Sequence, residues 1–344
     1  MDGTRGRGGA GGRVLVTGGA GFIGSHLVEA LCARGRRVRV LDDFSSGRRR
    51  NLPRRPLVEV LVGDLRDPAT LRRAVADVDV VFHQAALRSV PRSIEDPFSY
   101  HDVNATGTLR LLLAAGDAGV RRVVFASSSS VYGEQAGRPL HEELRPQPVS
   151  PYGTSKLIGE HYCANVSAHY GLETVCLRYF NVFGPRQDPD SPYAAVIARF
   201  IRAARRGVPL EIHGDGKQTR DFTYVSNVVA ANLAAAEAPG VSGQVFNIGC
   251  GERFSVLDIV HELEEVLGRR LAIRHTTVQA GVRDTLADIS RASARLRYVP
   301  AVGFGEGLRR TVGMGDRHRP TPDTGAIERS VTGYRVGLSR ERER

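Results

Sequence analysis

The chain has 344 residues, 41% of them hydrophobic, enough to bury a substantial core in one lobed unit or in two domains. No apolar run reaches the ~18 residues of a membrane span, and residues 1–12 (MDGTRGRGGAGG) lack the apolar centre of a secretion signal, so a flexible N-terminal tail, a cytoplasmic location and no membrane partner are expected. The formal net charge is +11, but only Lys156 and Lys217 are lysines and the arginines are scattered without interleaved aromatics, which favours solvated faces over a nucleic-acid surface.

Residues 13–27, RVLVTGGAGFIGSHL, read as a strand, a glycine turn and the start of a helix. Val14, Leu15 and Val16 make the strand; Gly18, Gly21 and Gly24 then recur at every third position. From Phe22 the spacing turns helical, with Phe22, Ile23, Leu27, Val28 and Leu31 available for one face. In such a turn one glycine makes the bend, one leaves the backbone bare for a pyrophosphate, and one lets helix pack on strand. The helix N-terminus adds free N–H groups and a positive dipole end. A merely structural turn is the alternative. A second strand over 37–41 ends at Asp42, about 20 residues on, where an acid can take both ribose hydroxyls of NAD. That charge opposes the 2′-phosphate of NADP, although Arg48, Arg49 and Arg50 are close enough in sequence to keep NADP open.

A third strand is expected over 58–62, ending in Gly63-Asp64-Leu65, with Asp64 placed for an adenine amino group or, alternatively, to cap the helix starting at Pro68. Residues 78–82 are almost continuously apolar, as in a strand buried on both faces, and run into His83-Gln84-Ala85-Ala86, where small residues let the chain pass close to a cofactor. His83 has no metal partners spaced with it and is expected in the core or behind the site; no metal is expected. Cys32, Cys163, Cys176 and Cys250 are far apart and read as reduced packing thiols. A helix over 104–118 and a strand over 122–126 follow, the strand running into SSSSVYG at 127–133. This alternation predicts an α/β fold: a doubly wound parallel sheet with its ligand beyond the carboxyl ends of the strands.

After a Pro- and Glu-rich loop over 135–150, PYGTSK at 151–156 opens a helix expected to reach about residue 170. Tyr152 and Lys156, four apart, share a helix face. A free phenol has a pKa of about 10, so working at neutral pH requires about 3 units, or ~4 kcal/mol. One positive charge ~4 Å away at an effective dielectric near 20 supplies about that, and Lys156 is the expected source. Beyond this lie an expected crossing helix over 194–206, a strand over 244–248, and an amphipathic helix over 256–267. From 313 to 344 low hydrophobicity and many charges suggest a mobile tail.

In order, TGGAGFIG, the Asp42 strand end, GDL, HQAA, SSSSVYG and YGTSK resemble the extended short-chain dehydrogenase/reductase family, and more narrowly its nucleotide-sugar 4-epimerases, over about residues 13–312. The resemblance implies a Rossmann NAD-binding domain over 13–181, rejoined around 218–249, a smaller α/β substrate lobe over 182–312, and a homodimer packed through helices near 104–118 and 155–169. It implies NAD as cofactor, held by Gly18, Gly21, Phe22, Ile23, Gly24, Asp42, Asp64, Leu65, Ala85, Ala86, Tyr152 and Lys156. It implies catalysis by Ser128, Tyr152 and Lys156, with Asn104 in support. Tyr152 as phenolate would take the proton of the sugar 4-hydroxyl while Ser128 hydrogen-bonds the same oxygen.

The implied substrate is a UDP-hexose, met by Arg88, Ser128, Ser129, Tyr152, Asn181, Ala195, Val196, Arg220, Arg283 and Thr285. Ser129 and Ser130 stand where related dehydratases and decarboxylases carry acids, and a serine cannot act as those acids do. Asp188 stands where uronate epimerases usually carry an arginine, which opposes a uronate, with Arg186 and Arg88 nearby. The family's R-x-G-D tract reads Gln279-Ala280-Gly281-Val282 here, leaving Arg283 and Asp284 to replace it by a shift of register and leaving UDP or dTDP open. Thr285 falls at a gate position where a small residue admits N-acetyl sugars.

Overall fold

Seven parallel strands form the centre of the molecule: β1 (Arg13–Thr17), β2 (Val38–Asp42), β3 (Val58–Val62), β4 (Val78–His83), β5 (Arg122–Ser128), β6 (Glu173–Tyr179) and β7 (Gln244–Ile248). The computed structural model describes residues 12–135, 139–189, 195–277 and 284–316. The strand order is β7-β6-β5-β4-β1-β2-β3, so direction of travel reverses between β1 and β4, and a crevice opens there at the carboxyl ends. This is the doubly wound parallel α/β sheet, a Rossmann fold, that the alternating pattern implies.

The apolar runs are explained by burial on both faces. Val14, Val16, Val80, Phe82 and Val124 point to one side, where they meet Leu27 and Leu31 of α1 (Phe22–Ala33) and Val228 of a later helix. Leu15, Val81, Val123 and Phe125 point to the other, against Leu71 of α2 (Pro68–Val75) and Leu111 of α3 (Gly107–Asp117). Two long helices complete the layers, α4 (Pro151–Tyr170) and α5 (Val225–Glu237). The start of α4 is set by Ser150, whose side chain accepts from Gly153 N at 3.1 Å beside Pro151 in the first turn, and its end by Gly171 at φ 69°.

The expected helix over 104–118 is refined. A wide π turn, Asp102–Thr106, precedes α3, and two short helices, Val90–Glu95 and Pro97–His101, come before it. The wide turn delivers Asn104 inward: its Oδ1 accepts from Leu87 N at 2.8 Å and its Nδ2 donates to Leu87 O and to Ser155 Oγ, locking the β4 exit to α4.

A second cluster, with Phe183, Phe200, Ile212, Phe222, Leu263 and Phe304 at its centre, packs the helices Val196–Arg206, Val256–Leu267 and Phe304–Asp316 with a parallel strand pair, Leu210–His213 and Ile273–Thr276. The last helix continues into the segment expected to be a tail from 313: Val312 is buried, and its carbonyl accepts from Arg205 Nη2 at 2.6 Å. Residues 317–344 lie outside the described residues. Among the described residues no helix is long and apolar enough to cross a membrane.

Candidate active site

The three glycines of the β1–α1 turn have separable tasks. Gly18 sits at φ 65°, and a Cβ there would lie 2.7 Å from Ala85 Cα, so it both turns the chain and lets β4 pass. At Gly24 a Cβ would fall 2.2 Å from Gly18 O, so only glycine lets α1 start this close to the turn. Gly21 differs, since its Cβ would meet only Gly18 O, at 3.1 Å; its remaining side is open. Gly21 is also the N-cap of α1, and no side chain caps it. The first N–H groups of the helix are thus left for an anion, and the turn forms the wall of a cavity of about 430 Å³.

Around this wall the structure gathers Gly18, Gly21, Phe22, Ile23, Gly24, Asp42, Asp64, Leu65, Ala85, Ala86, Tyr152 and Lys156, the whole set expected for the cofactor. Asp42 Oδ2 accepts from Ala20 N at 2.8 Å and Oδ1 from Phe44 N at 2.9 Å, which fixes the carboxylate and leaves lone pairs for two hydroxyls. Burial pushes its pKa up against those two bonds. Asp64 does not cap α2, a role taken by Asp67; it pairs with Arg66 at 2.7 Å, which holds its carboxyl below the usual range. Arg48, which left NADP open in the sequence, is paired with Asp188 at 3.3 Å, and Arg49 lies over the Phe44 ring at 4.8 Å. An open helix N-terminus, a turn too tight for side chains, and an acid at the end of β2 fit NAD.

The second wall carries Tyr152 and Lys156 on α4, facing the end of β5. The Tyr152 ring meets Tyr100 edge-on at 6.4 Å, and Ser128, whose Oγ is bonded to Ser130 Oγ and Ser130 N at 3.1 Å, lies near the Tyr152 hydroxyl. Burial pushes the phenol up; the Ser128 hydroxyl and the charge of Arg88 pull it down. Lys156, the expected source of positive charge for the phenol, lies with it on the same wall of the cavity. Its Nζ donates to Ala126 O at 2.8 Å and lies 5.0 Å from the Phe125 ring centre, and burial pushes it down to about 8. His83 stays behind the site as expected: its ring bridges the Thr17 and Thr108 hydroxyls at 2.7 and 2.9 Å, and burial pushes it down to about 3.

On the sugar side Arg88, Asn181 and Ala195 line the same cavity, whereas Ser128, Ser129, Val196, Arg220 and Thr285 lie off its wall. Thr285 reaches it through Asn181, whose Nδ2 donates to Thr285 Oγ1 at 3.2 Å and to Asp221 O at 3.1 Å. Arg220 is half-buried, its Nη1 on Thr219 O at 2.8 Å, and burial pulls its pKa down. Asp284 is committed to Thr219, accepting from its N and Oγ1 at 2.9 and 2.7 Å, so it anchors a strand and does not face the cavity. Arg283 lies outside the described residues. Non-glycine residues at positive φ cluster here, with Phe44, Asn181 and Arg186 on or beside the cavity at 58°, 27° and 67°.

Several groups escaped the sequence reading. Gln84 and Tyr179 line the cavity and are joined through Asn232, whose Nδ2 donates to Tyr179 Oη at 2.8 Å. The loop after Asn181 is tied to α1: His26 Nε2 meets Pro185 O at 2.9 Å and Arg186 pairs with Glu29 at 2.7 Å. The available signal was polarity out of place, as in Arg178-Tyr179 at the end of an apolar strand.

Residues 14–249 match the NAD dependent epimerase/dehydratase family. A UDP-glucose 4-epimerase of Mycolicibacterium smegmatis is 40% identical over 307 residues, covering 87% of this chain and 97% of that one. The solved UDP-N-acetylglucosamine 4-epimerase of Methanobrevibacter ruminantium, in complex with UDP-N-acetylmuramic acid, is 39% identical with a TM-score of 0.86, covering 90% and 99%. The UDP-glucuronic acid 4-epimerase of Bacillus cereus, solved with its sugar nucleotide and NAD, is 36% identical with a TM-score of 0.83, covering 89% and 99%. The chain belongs to the NAD dependent epimerase/dehydratase family, among its UDP-sugar 4-epimerases, and is an isomerase whose cofactor is NAD.

Proposed function

We propose that the protein inverts C4 of a neutral UDP-hexose, UDP-glucose and UDP-galactose first, with the N-acetylated forms also accepted. The observation that carries this is that Tyr152 and Lys156 line the same cavity as the glycine turn, with Ser128 at the neighbouring strand end acting on the phenol. Bound NAD supplies a reversible hydride acceptor for C4. Tyr152 takes the 4-hydroxyl proton and later returns it, Ser128 holds the same oxygen, and Lys156 supplies positive charge behind the phenol. The 4-keto sugar then turns about its diphosphate linkage so that its other face meets the cofactor, and no net redox follows.

Support for a neutral sugar comes from Asp188, an acid on the cavity wall, paired with Arg48. Arg186, also on the cavity wall, has its charge offset by Glu29 at 2.7 Å. Support for N-acetyl sugars comes from the small Thr285 beside Asn181. Ser129 and Ser130 provide no acid or base for dehydration or decarboxylation. The protein is further read as a cytoplasmic homodimer.

NMR of UDP-glucose, UDP-N-acetylglucosamine and UDP-glucuronate incubated with the purified protein tests this reading. The first two should reach C4-epimer mixtures and the third should not turn over. Turnover of the uronate alone would reverse the substrate assignment.

A further inference from the structure

Asp221 is fully buried and has no part in the proton transfer described above. Its carboxylate gathers three main-chain N–H groups from two separate segments: Oδ1 accepts from Cys250 N at 2.8 Å, and Oδ2 from Gly251 N at 2.9 Å and Ala287 N at 3.2 Å. The first two belong to the turn that leaves β7, where Gly251 stands at φ 71°; the third lies two residues after Thr285. A Cβ on Gly249 would fall 2.8 Å from Oδ2, so the turn is shaped to receive this carboxylate.

The same residue acts on the sugar wall through its main chain. Asp221 O accepts from Asn181 Nδ2 at 3.1 Å, and that amide also donates to Thr285 Oγ1 at 3.2 Å. Thr285 N donates in turn to Thr219 O at 3.1 Å, on the strand Thr219–Arg220 that leads into Asp221. Both groups that fix the Asn181 amide therefore lie on segments that the Asp221 carboxylate joins. Asn181 needs this support, because it lines the cavity at φ 27°, a conformation that persists only where the surroundings hold it.

Packing alone can hold segments together. Three N–H groups converging on one buried side chain ask for more: an ionised carboxylate has lone pairs for all of them, whereas an amide of the same size has one oxygen and turns an N–H towards an N–H. We propose that Asp221 is a positioning residue for the sugar nucleotide: by tying the 249–251 turn and Ala287 to the strand Thr219–Arg220, it sets the carbonyl and the hydroxyl that hold the Asn181 amide at the cavity wall. The inference rests on the reading of Asn181 as a substrate-binding residue.

A double-variant cycle on the full-length, NAD-loaded protein tests it, with the Kd for UDP-glucose measured by calorimetry. Asp221→Asn keeps the volume and removes one acceptor oxygen; it should weaken UDP-glucose about tenfold, as Asn181→Ala does, with NAD content unchanged and kcat within about twofold. Because both act through one amide, the double variant should also stay near tenfold. A loss near a hundredfold in the double variant, loss of NAD from Asp221→Asn, or a lowered Tm with the Kd unmoved overturns the proposal; the last is what a purely structural acid gives. If Asp221→Asn does not fold, Gly249→Ala carries the cycle, because its methyl crowds Oδ2 and the Ala287 side chain while every partner remains. The same lack of additivity with Asn181→Ala is expected there, and additive losses or an unmoved Kd again overturn the proposal. Binding is read apart from turnover, so failure of the epimerase reading is seen separately, as a parent protein that binds UDP-glucose without inverting it.

Discussion

The cofactor wall and the sugar wall of the cavity are built in opposite ways. The centre of the cofactor wall comes from one run of chain, where Gly18, Gly21 and Gly24 lie within a single turn and Asp42 ends the next strand. The sugar wall is assembled from segments far apart, with Asn181 bonded to Thr285 across 104 positions and Asp188 to Arg48 across 140. A local turn can be fixed by backbone sterics alone. An assembled wall depends on hydrogen bonds between loops, each worth only ~1 kcal/mol, and so can vary in substrate while the cofactor stays the same.

The largest expected effect falls where the two walls meet. Tyr152→Phe should lower kcat by ~10²–10⁴-fold while leaving NAD content unchanged, checked by NMR turnover and by cofactor released on denaturation. Loss of NAD in this variant would show that the two walls are not separable.

The glycine turn should divide by position. Gly24→Ala places a methyl 2.2 Å from a carbonyl oxygen and should cost ~1–3 kcal/mol of stability together with bound NAD. Gly21→Ala should stay within ~0.5 kcal/mol of the parent yet bind NAD more weakly, as read by denaturant unfolding and by calorimetry. Equal destabilisation in both would remove the assignment of Gly21 to the anion.

His83 tests the floor shared by both walls. Its folded midpoint of about 3 lies below the ordinary 6.5, so the neutral ring is the stable form. Its contribution is complete above pH 6.5 and is lost as pH falls from there towards 3, at ~1.4 kcal/mol per unit. Between pH 7 and 5 the parent should lose about 2 kcal/mol more than His83→Gln in urea unfolding. Parallel losses would mean that the imidazole is not held neutral.

On the sugar wall effects should be smaller. Asn181→Ala is expected to lower kcat/KM about tenfold, mostly through KM, and Thr285→Val, which keeps the volume, by a few-fold. Steady-state kinetics checks both, and a change confined to kcat would place Asn181 with the proton transfer instead.

This same division explains what could be read in advance. The parallel sheet was legible because Val14, Leu15 and Val16, or Val80, Val81 and Phe82, are apolar on both faces, which only a covered strand requires. The Tyr152–Lys156 pair was legible because helical spacing is itself geometry. The π turn at Asp102–Thr106 was not, since its cause is the amide of Asn104 reaching Leu87 and Ser155, contacts invisible along the chain. Nor was the fate of Arg48 or Asp284, because each is decided by a partner in another segment. Spacing also placed Lys156 on the right face, whereas the Arg88 charge that pulls the phenol down comes from another segment and was not legible.

The most direct measurement is turnover of UDP-glucose in D₂O, with the product examined by NMR at C4 and C5 and with the cofactor assayed afterwards. A C4 hydrogen carried off and returned within the cavity predicts UDP-galactose with protium at both carbons, NAD still bound, and no net NADH. Deuterium at C4 or C5, stoichiometric NADH, or the same product from Tyr152→Phe would contradict it.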